Sequence, residues 1–281
     1  MNIAFASPAL VDAATVTTSS SPASLPAANL LDNQPGVACR LDDLDDAAIT
    51  VDLGAAQTVD TLALLHHTGS AWGGCRVTAG AVEADLGAGA PYDSGVLPLR
   101  SYQDGAFGLA WADEADDPRR LESATHHFVL FLETPPRFRW WRFEVLDTGN
   151  ADGFVDVGRL IVSRAWRPAI GVAYGYAAGF AGDAPREVAA GNQLWPLDRP
   201  LRRALDGVSL PFLTLEEADR EMARLQRGRG TAGPLLCLLD PTDRARDQEG
   251  ALYGLWDFAA PRRRPRARYV EVVTSFEELR P

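Results

Sequence analysis

The stretch AITVDLGAAQTVDTLALLHH, residues 48–67, decides how this chain folds. Ile49, Val51 and Leu53 alternate with Thr50 and Asp52. A period of two is that of a strand with one face buried. Gly54 ends the alternation, because a residue without Cβ takes turn conformations that others avoid. Val59–Leu65 is then apolar at nearly every step, which suits a strand covered on both faces or a buried helix, and its shortness favours the strand. The two segments read as neighbouring strands of a two-layered β structure, the second of them closing on His66–His67.

The same pattern continues on either side. MNIAFASPALVDAATV reads as a first strand and lacks the basic start of a secretory signal. HHFVLFLE (126–133) and RWWRFEVLD (139–147) are further strands, with Trp141, Phe143 and Val145 alternating with Arg142 and Glu144. GFVDVGRLIVSRAW (153–166) predicts a strand with a glycine bulge or bend at Gly158. Many short strands joined by turn-rich tracts such as GNADG, with no helix among them, point to a sandwich or jelly roll.

After Trp166 the composition changes. A Gly- and Ala-rich linker, with Tyr174, Tyr176 and Phe180, passes into short strands. TLEEADREMARLQRGRG then predicts a helix, with Thr214 and Glu217 as a capping box. Leu215, Ala218, Met222 and Leu225 form its inner face, and Gly228 or Gly230 ends it. PLLCLLD, ALYGLWDF and RYVEVVTSF are three later strands, the last expected to be an exposed edge open to pairing between copies.

Composition bounds the function. The chain of 281 residues is 46% hydrophobic, enough for two domains with real cores. No run of eighteen apolar residues exists, which argues against a membrane span. Cys39, Cys75 and Cys237 are odd in number and far apart, so each reads as a small buried apolar residue, made in a reducing cytoplasm. All 27 basic residues are arginine, and the net charge is −11. Residues 1–166 hold 10 arginines against 22 carboxylates, net −12; residues 167–281 hold 17 against 16, net +1. This asymmetry supports two separately composed regions and disfavours nucleic acid as partner of the first.

Candidate chemistry is sparse. The sequence has no G-x-S-x-G elbow, no H-E-x-x-H, no Walker A loop and no glycine fingerprint between a strand and a helix, and the chain reads as non-enzymatic. The four histidines form two doublets, His66–His67 and His126–His127. Adjacent strand residues face opposite ways, so only one of each doublet can share a site, which favours a structural role over zinc. In LDDLDD, Asp42, Asp43, Asp45 and Asp46 offer oxygens that suit calcium, or form a solvated loop. Trp72, Tyr92, Tyr102 and Trp111 fall in loops, as sugar-stacking faces or loop anchors. The basic run at Arg262, Arg263, Arg264, Arg266 and Arg268 is either a partner-docking patch or a solvated hairpin tip between ALYGLWDF and RYVEVVTSF.

ANLLDNQPGVACRLDDLDDAAITVDLGAAQTVDTLALLHHTGS (28–70) resembles the discoidin-like, galactose-binding-like β-sandwich, and RWWRFEVLDTGNADGFVDVGRLIVSRAW (139–166) resembles its closing strands. Where that pattern has a Trp before its first strand, this chain has Cys39 and Arg40. The wider series VGRLIVSRAWRPAIGVAYGY, the helix near 214–228, PLLCLLDPT and ALYGLWDF resembles tail-tip and baseplate proteins of long-tailed bacteriophages. The resemblance implies a mainly β chain: a galactose-binding-like β-sandwich of jelly-roll type over 1–166 and a smaller C-terminal α+β domain over 167–281. It implies a virion subunit with no cofactor beyond a candidate structural calcium near Asp32 and Asn33. The implied partners are tube and hub proteins and further copies in a ring; a host surface glycan is the partner in the competing, carbohydrate-binding reading.

Overall fold

The computed structural model describes residues 2–100, 126–181, 186–188, 194–196, 202–230, 232–244, 250–257, 262–266 and 268–281. Its contacts divide the chain into two units. One comprises 2–167, 235–253 and 280–281; the other comprises 168–234 and 254–279. The first boundary between the units falls at residues 167 and 168, and residues 235–253 belong to the first unit.

The strands, in chain order, are β1 (Ile3–Ala6), β2 (Thr15–Thr18), β3 (Cys39–Leu41), β4 (Ala47–Thr58), β5 (Thr61–His67), β6 (Gly74–Gly80), β7 (Tyr92–Pro98), β8 (His126–Phe131), β9 (Arg137–Leu146) and β10 (Val155–Ser163). They are followed by β11 (Ala177–Ala181), β12 (Arg186–Val188), β13 (Leu194–Pro196), β14 (Arg202–Thr214), β15 (Leu235–Leu239), β16 (Ala251–Trp256), β17 (Arg263–Arg266) and β18 (Tyr269–Glu278). The chain is mainly β, as the sequence predicts.

In the first unit, β3-β10-β5-β8 and β2-β4-β9-β6-β7 form two antiparallel sheets. Leu62, Leu64, Phe128 and Leu160 of the first sheet meet Ile49, Val51, Trp141 and Phe143 of the second in one buried cluster. Each such leucine stabilises the fold by about 2 kcal/mol through removal from water. β4 and β5 are consecutive, yet they belong to opposite sheets. Gly54, at φ 72°, sits in a break of the β4–β9 register between Asp52 and Gln57. The chain then crosses between layers at Val59–Asp60, where Val59 N–H donates to Pro136 O and Asp60 N–H to Ser163 O. Asp60 fastens the crossing by accepting from Thr61 Oγ1 at 2.9 Å and from Ala165 N at 2.7 Å. All seven residues of β5 are buried, which explains the unbroken apolar run.

One expectation changes here. Gly158 is not a bulge: Val157 and Arg159 pair in step with His67 and Leu65. A Cβ at Gly158 would lie 2.5 Å from Pro35 O, so the glycine is needed for close approach of another backbone. The extra residue is His66 in β5, at φ 53°, between the pairs Leu65–His127 and His67–His126. The first strand, β1, also pairs far from its sequence neighbours, with Ile3 opposite Leu239 and Ala6 opposite Leu236.

The second unit orders the end of β16 (Gly254–Trp256), β18, β14 and β11, with β17 also on β18. RYVEVVTSF is therefore an inner strand paired along both sides, not an exposed edge. The basic run is likewise more than a hairpin tip, since Arg263–Arg266 forms β17 opposite Glu271 and Tyr269. β14 bulges twice, between Leu205 and Val208 and between Leu210 and Leu213, around Gly207 and Pro211. Thr214 and Glu217 exchange hydrogen bonds as a capping box: Thr214 N–H donates to Glu217 Oε2 at 2.9 Å, and Glu217 N–H to Thr214 Oγ1 at 3.2 Å. A π-helical turn (Glu217–Met222) continues into a helix (Ala223–Arg229) that ends at Gly230, at φ 58°.

Candidate binding rim of the sandwich

The loop after β5, residues 68–73, is tied down at nearly every residue. Thr68 N–H donates to Asp156 O, Gly73 N–H to Ser70 O, and Leu99 N–H to Gly73 O. Arg100 Nε donates to Gly69 O at 2.7 Å. Asp147, only 3% exposed, accepts from Ser70 N at 2.7 Å, from Ser70 Oγ, and from Asn150 Nδ2 at 3.0 Å. A Cβ on Gly73 would come within 2.9 Å of the Asp147 carboxyl carbon and 2.7 Å of Leu99 Cδ1, so only glycine fits. Ser70–Gly73 closes a tight turn, with Ala71 and Trp72 at its tip. Trp72 is 85% exposed. A rigid support thus holds a large aromatic face in water.

The histidines form the floor beneath this loop. His66 and His127 stand edge to face with centroids 4.6 Å apart, and His67 and His126 are 6.1 Å apart. Both members of each doublet thus meet one of the other, because the bulge at His66 breaks the alternation that would let only one of them do so. All four are buried. His67 Nδ1 accepts from Gly69 N–H at 3.2 Å, which leaves Nε2 to donate to Leu99 O at 3.2 Å, a neutral tautomer. His127 Nδ1 accepts from His66 N–H at 3.2 Å. Burial, with the nearby His126 and Arg100 charges adding to it, pushes His67 down to about 3. Burial likewise pushes His126 down to about 4. Burial thus holds the His67 and His126 rings neutral, and among the described residues no three His, Cys, Asp or Glu side chains gather into a metal-holding group.

The other candidates are scattered. Asp32 Oδ1 caps Gln34 N–H at 2.8 Å, and Asp43 Oδ1 accepts from Asp45 N–H at 3.1 Å. Asn33 lends its carbonyl to Tyr253 Oη at 3.5 Å. Asp42, Asp43, Asp45 and Asp46 are all exposed. Tyr92 packs on Trp141, with centroids 5.9 Å apart, at the edge of the core. Tyr102 and Trp111 lie outside the described residues. Arg262 donates to Asp219 at 3.2 Å and to Gln226 at 2.7 Å, so it braces the helix of its own unit. Arg263, Arg264 and Arg268 are exposed, and Arg266 belongs to β17. Of the rim, the sequence singles out Trp72 and the histidines. Asp147, Asn150 and Arg100 carry no local signal, since each acts on a loop distant in the chain.

The cysteines are free and buried, and burial pushes the Cys39 thiol up to about 12. Such thiols are poor nucleophiles.

No family model matches the chain, and no curated protein matches it. Among solved structures, it is similar to a family 32 carbohydrate-binding module from Clostridium perfringens NanJ in complex with galactose, at 14% identity and a TM-score of 0.39. That match covers 57% of this chain and 99% of the module. A Streptococcus pneumoniae fucose-binding module matches at 11% identity and a TM-score of 0.37, over 53% of this chain and 90% of its own. The lectin domain of lectinolysin complexed with Lewis b antigen matches at 16% and 0.35, over 53% and 92%.

Proposed function

We propose that this chain is a non-enzymatic binding protein whose sandwich meets a glycan through the loop bearing Trp72. One observation carries the reading: an indole 85% exposed on a loop braced by a buried carboxylate. Leaving so large an apolar face in water is unfavourable, while an aromatic face held rigid stacks on a sugar ring at little entropic cost. The test is a glycan array probed with the wild-type chain and with Trp72→Ala, including galactose, fucose and Lewis b probes. Binding lost in the variant supports the reading; glycan binding that survives unchanged, or none by the wild type, removes it.

A second reading places the protein in a long-tailed phage tail tip or baseplate, as a virion subunit docked on tube and hub proteins. It rests on the resemblance of the sequence to such proteins and on apolar side chains displayed on the second unit. Ile170, Tyr174 and Phe180 are 47%, 95% and 65% exposed within eleven residues, a density that suits a covered surface. The two readings are compatible, since a tail tip can carry a glycan-binding sandwich to a host surface. Mass spectrometry of purified tails, with labelling by an antibody to this chain, tests the second. Absence from intact particles overturns it and leaves the glycan reading standing.

A further inference from the structure

Among the described residues β17 is an edge strand, paired with β18 on one side only. It starts with Arg263 and Arg264, both exposed, and Arg268 is exposed just beyond its end. Among the described residues none of these three meets a carboxylate, whereas Arg262 is spent within its own unit. Arginines along an edge also block strand addition, so any contact here is made by side chains rather than by an added strand.

The sandwich shows the opposite imbalance. Arg40–Asp156, Arg139–Asp52 and Arg76–Asp93 are bidentate pairs with N–O distances between 2.6 and 2.9 Å. The exposed run Asp42, Asp43, Asp45 and Asp46 stays outside this pattern. Among the described residues only Asp46 of the four reaches a guanidinium, Arg142 at 3.4 Å, and it remains 74% exposed. Four carboxylates in five residues on a segment of net charge −12 form a concentrated negative patch.

We infer that the arginine edge of one copy docks on the Asp42–Asp46 loop of a second copy. Charge complementarity within one sequence selects this occupant. Nucleic acid would have to approach a chain of net charge −11. Because the two patches differ, the contact is head-to-tail, and it closes into a ring when the rotation per copy divides a full turn. Opposed patches of this kind speed encounter and set register, and salt weakens them.

The inference deepens the assembly reading and is independent of glycan binding. Its test is mass photometry and sedimentation of the full chain, with circular dichroism as the control for folding. Wild type should self-associate at low salt and dissociate near about 0.5 M NaCl. Arg263→Glu with Arg264→Glu should weaken association about tenfold or more, as should Asp42→Arg with Asp43→Arg. Mixing the two reversed variants should restore association, because each supplies the patch that the other now lacks. A wild type that stays monomeric overturns the inference, and so do folded variants that associate like wild type or a mixture that fails to rescue. If the arginine edge captures duplex DNA while self-association is unchanged, nucleic acid is its partner and the inference falls. If the chain is found in phage tails although the reversed variants assemble normally, the inference fails and the assembly reading survives.

Discussion

Asp147 holds Ser70 twice, accepting from its backbone N–H at 2.7 Å and from its hydroxyl. The carboxylate lies at the end of β9 and the serine in the loop after β5, so the pair fixes one sheet's loop to the other sheet's strand end. Asp147→Ala removes both acceptors and leaves half-buried donors without partners, at about 1–3 kcal/mol. The urea midpoint should fall accordingly. The Trp72 indole should also gain motion, seen as lower fluorescence anisotropy once the other tryptophans are replaced by phenylalanine. Unchanged anisotropy would show that the brace does not order the tip.

Trp72→Ala should behave in the opposite manner. Its side chain is 85% exposed, so stability should stay within about 0.5 kcal/mol of wild type. Thermal unfolding checks this, and a marked fall would mean that the indole packs on something in solution. Stability retained with glycan binding lost would separate recognition from architecture.

His67 and His126 make stability depend on pH. Their folded values, about 3 and about 4, lie below the ordinary 6.5 because burial disfavours the charged ring. Below pH 6.5 the unfolded chain takes up protons that the folded chain refuses, so stability is full above that pH and declines as pH falls towards 4. At pH 5 the loss is about 2 kcal/mol for each histidine. Urea midpoints at pH 8, 6 and 5 should show the decline, and the ring protons of both histidines should not shift across pH 5–8 in NMR spectra. A titration midpoint near 6.5 for either ring would contradict its burial.

How far the fold was legible depends on the range of the interaction that each segment obeys. β9 was readable because Trp141, Phe143 and Val145 bury one face while Arg142 and Glu144 stay at the other, a rule of nearest neighbours. The Thr214–Glu217 cap was readable for the same reason. β14 was not, although it is thirteen residues long. Gly207 and Pro211 break its alternation where the strand bulges, and a proline inside a run argues against a strand. The partner of β1 was hidden too, because Ile3 and Leu239 are matched by geometry that no local spacing encodes. Among the site residues, Trp72 was visible as a loop aromatic. The carboxylate that supports its loop lies 77 residues from Ser70 and has no motif around it.

Gly158→Ala isolates the close approach of the Gly158 backbone to Pro35. The new methyl would sit 2.5 Å from Pro35 O and 3.1 Å from His66 Cβ, neither of which can yield without moving backbone. A cost of about 1–3 kcal/mol is expected. At Gly179, where a Cβ meets nothing within 4 Å, the same substitution should be nearly neutral. Paired denaturation curves of the two variants decide it, and equal midpoints would remove the steric argument.

Arg159 and Asp12 give the sharpest contrast between the two halves of an ion pair. The guanidinium is completely buried, donates to Leu30 O at 3.2 Å and bonds the Asp12 carboxylate, whose own side chain is 32% exposed. Removing the arginine leaves a carboxylate that can turn to water and one buried carbonyl that cannot, so Arg159→Met should cost about 1–3 kcal/mol. Removing the aspartate strands a positive charge inside the sandwich, and Asp12→Ala should cost about 3–5 kcal/mol. The double variant should therefore be more stable than Asp12→Ala alone, because the methionine relieves the charge that the first substitution abandoned. Chemical denaturation of the three variants in one double-mutant cycle measures this, and a double variant less stable than Asp12→Ala would mean that the charge is solvated where it lies.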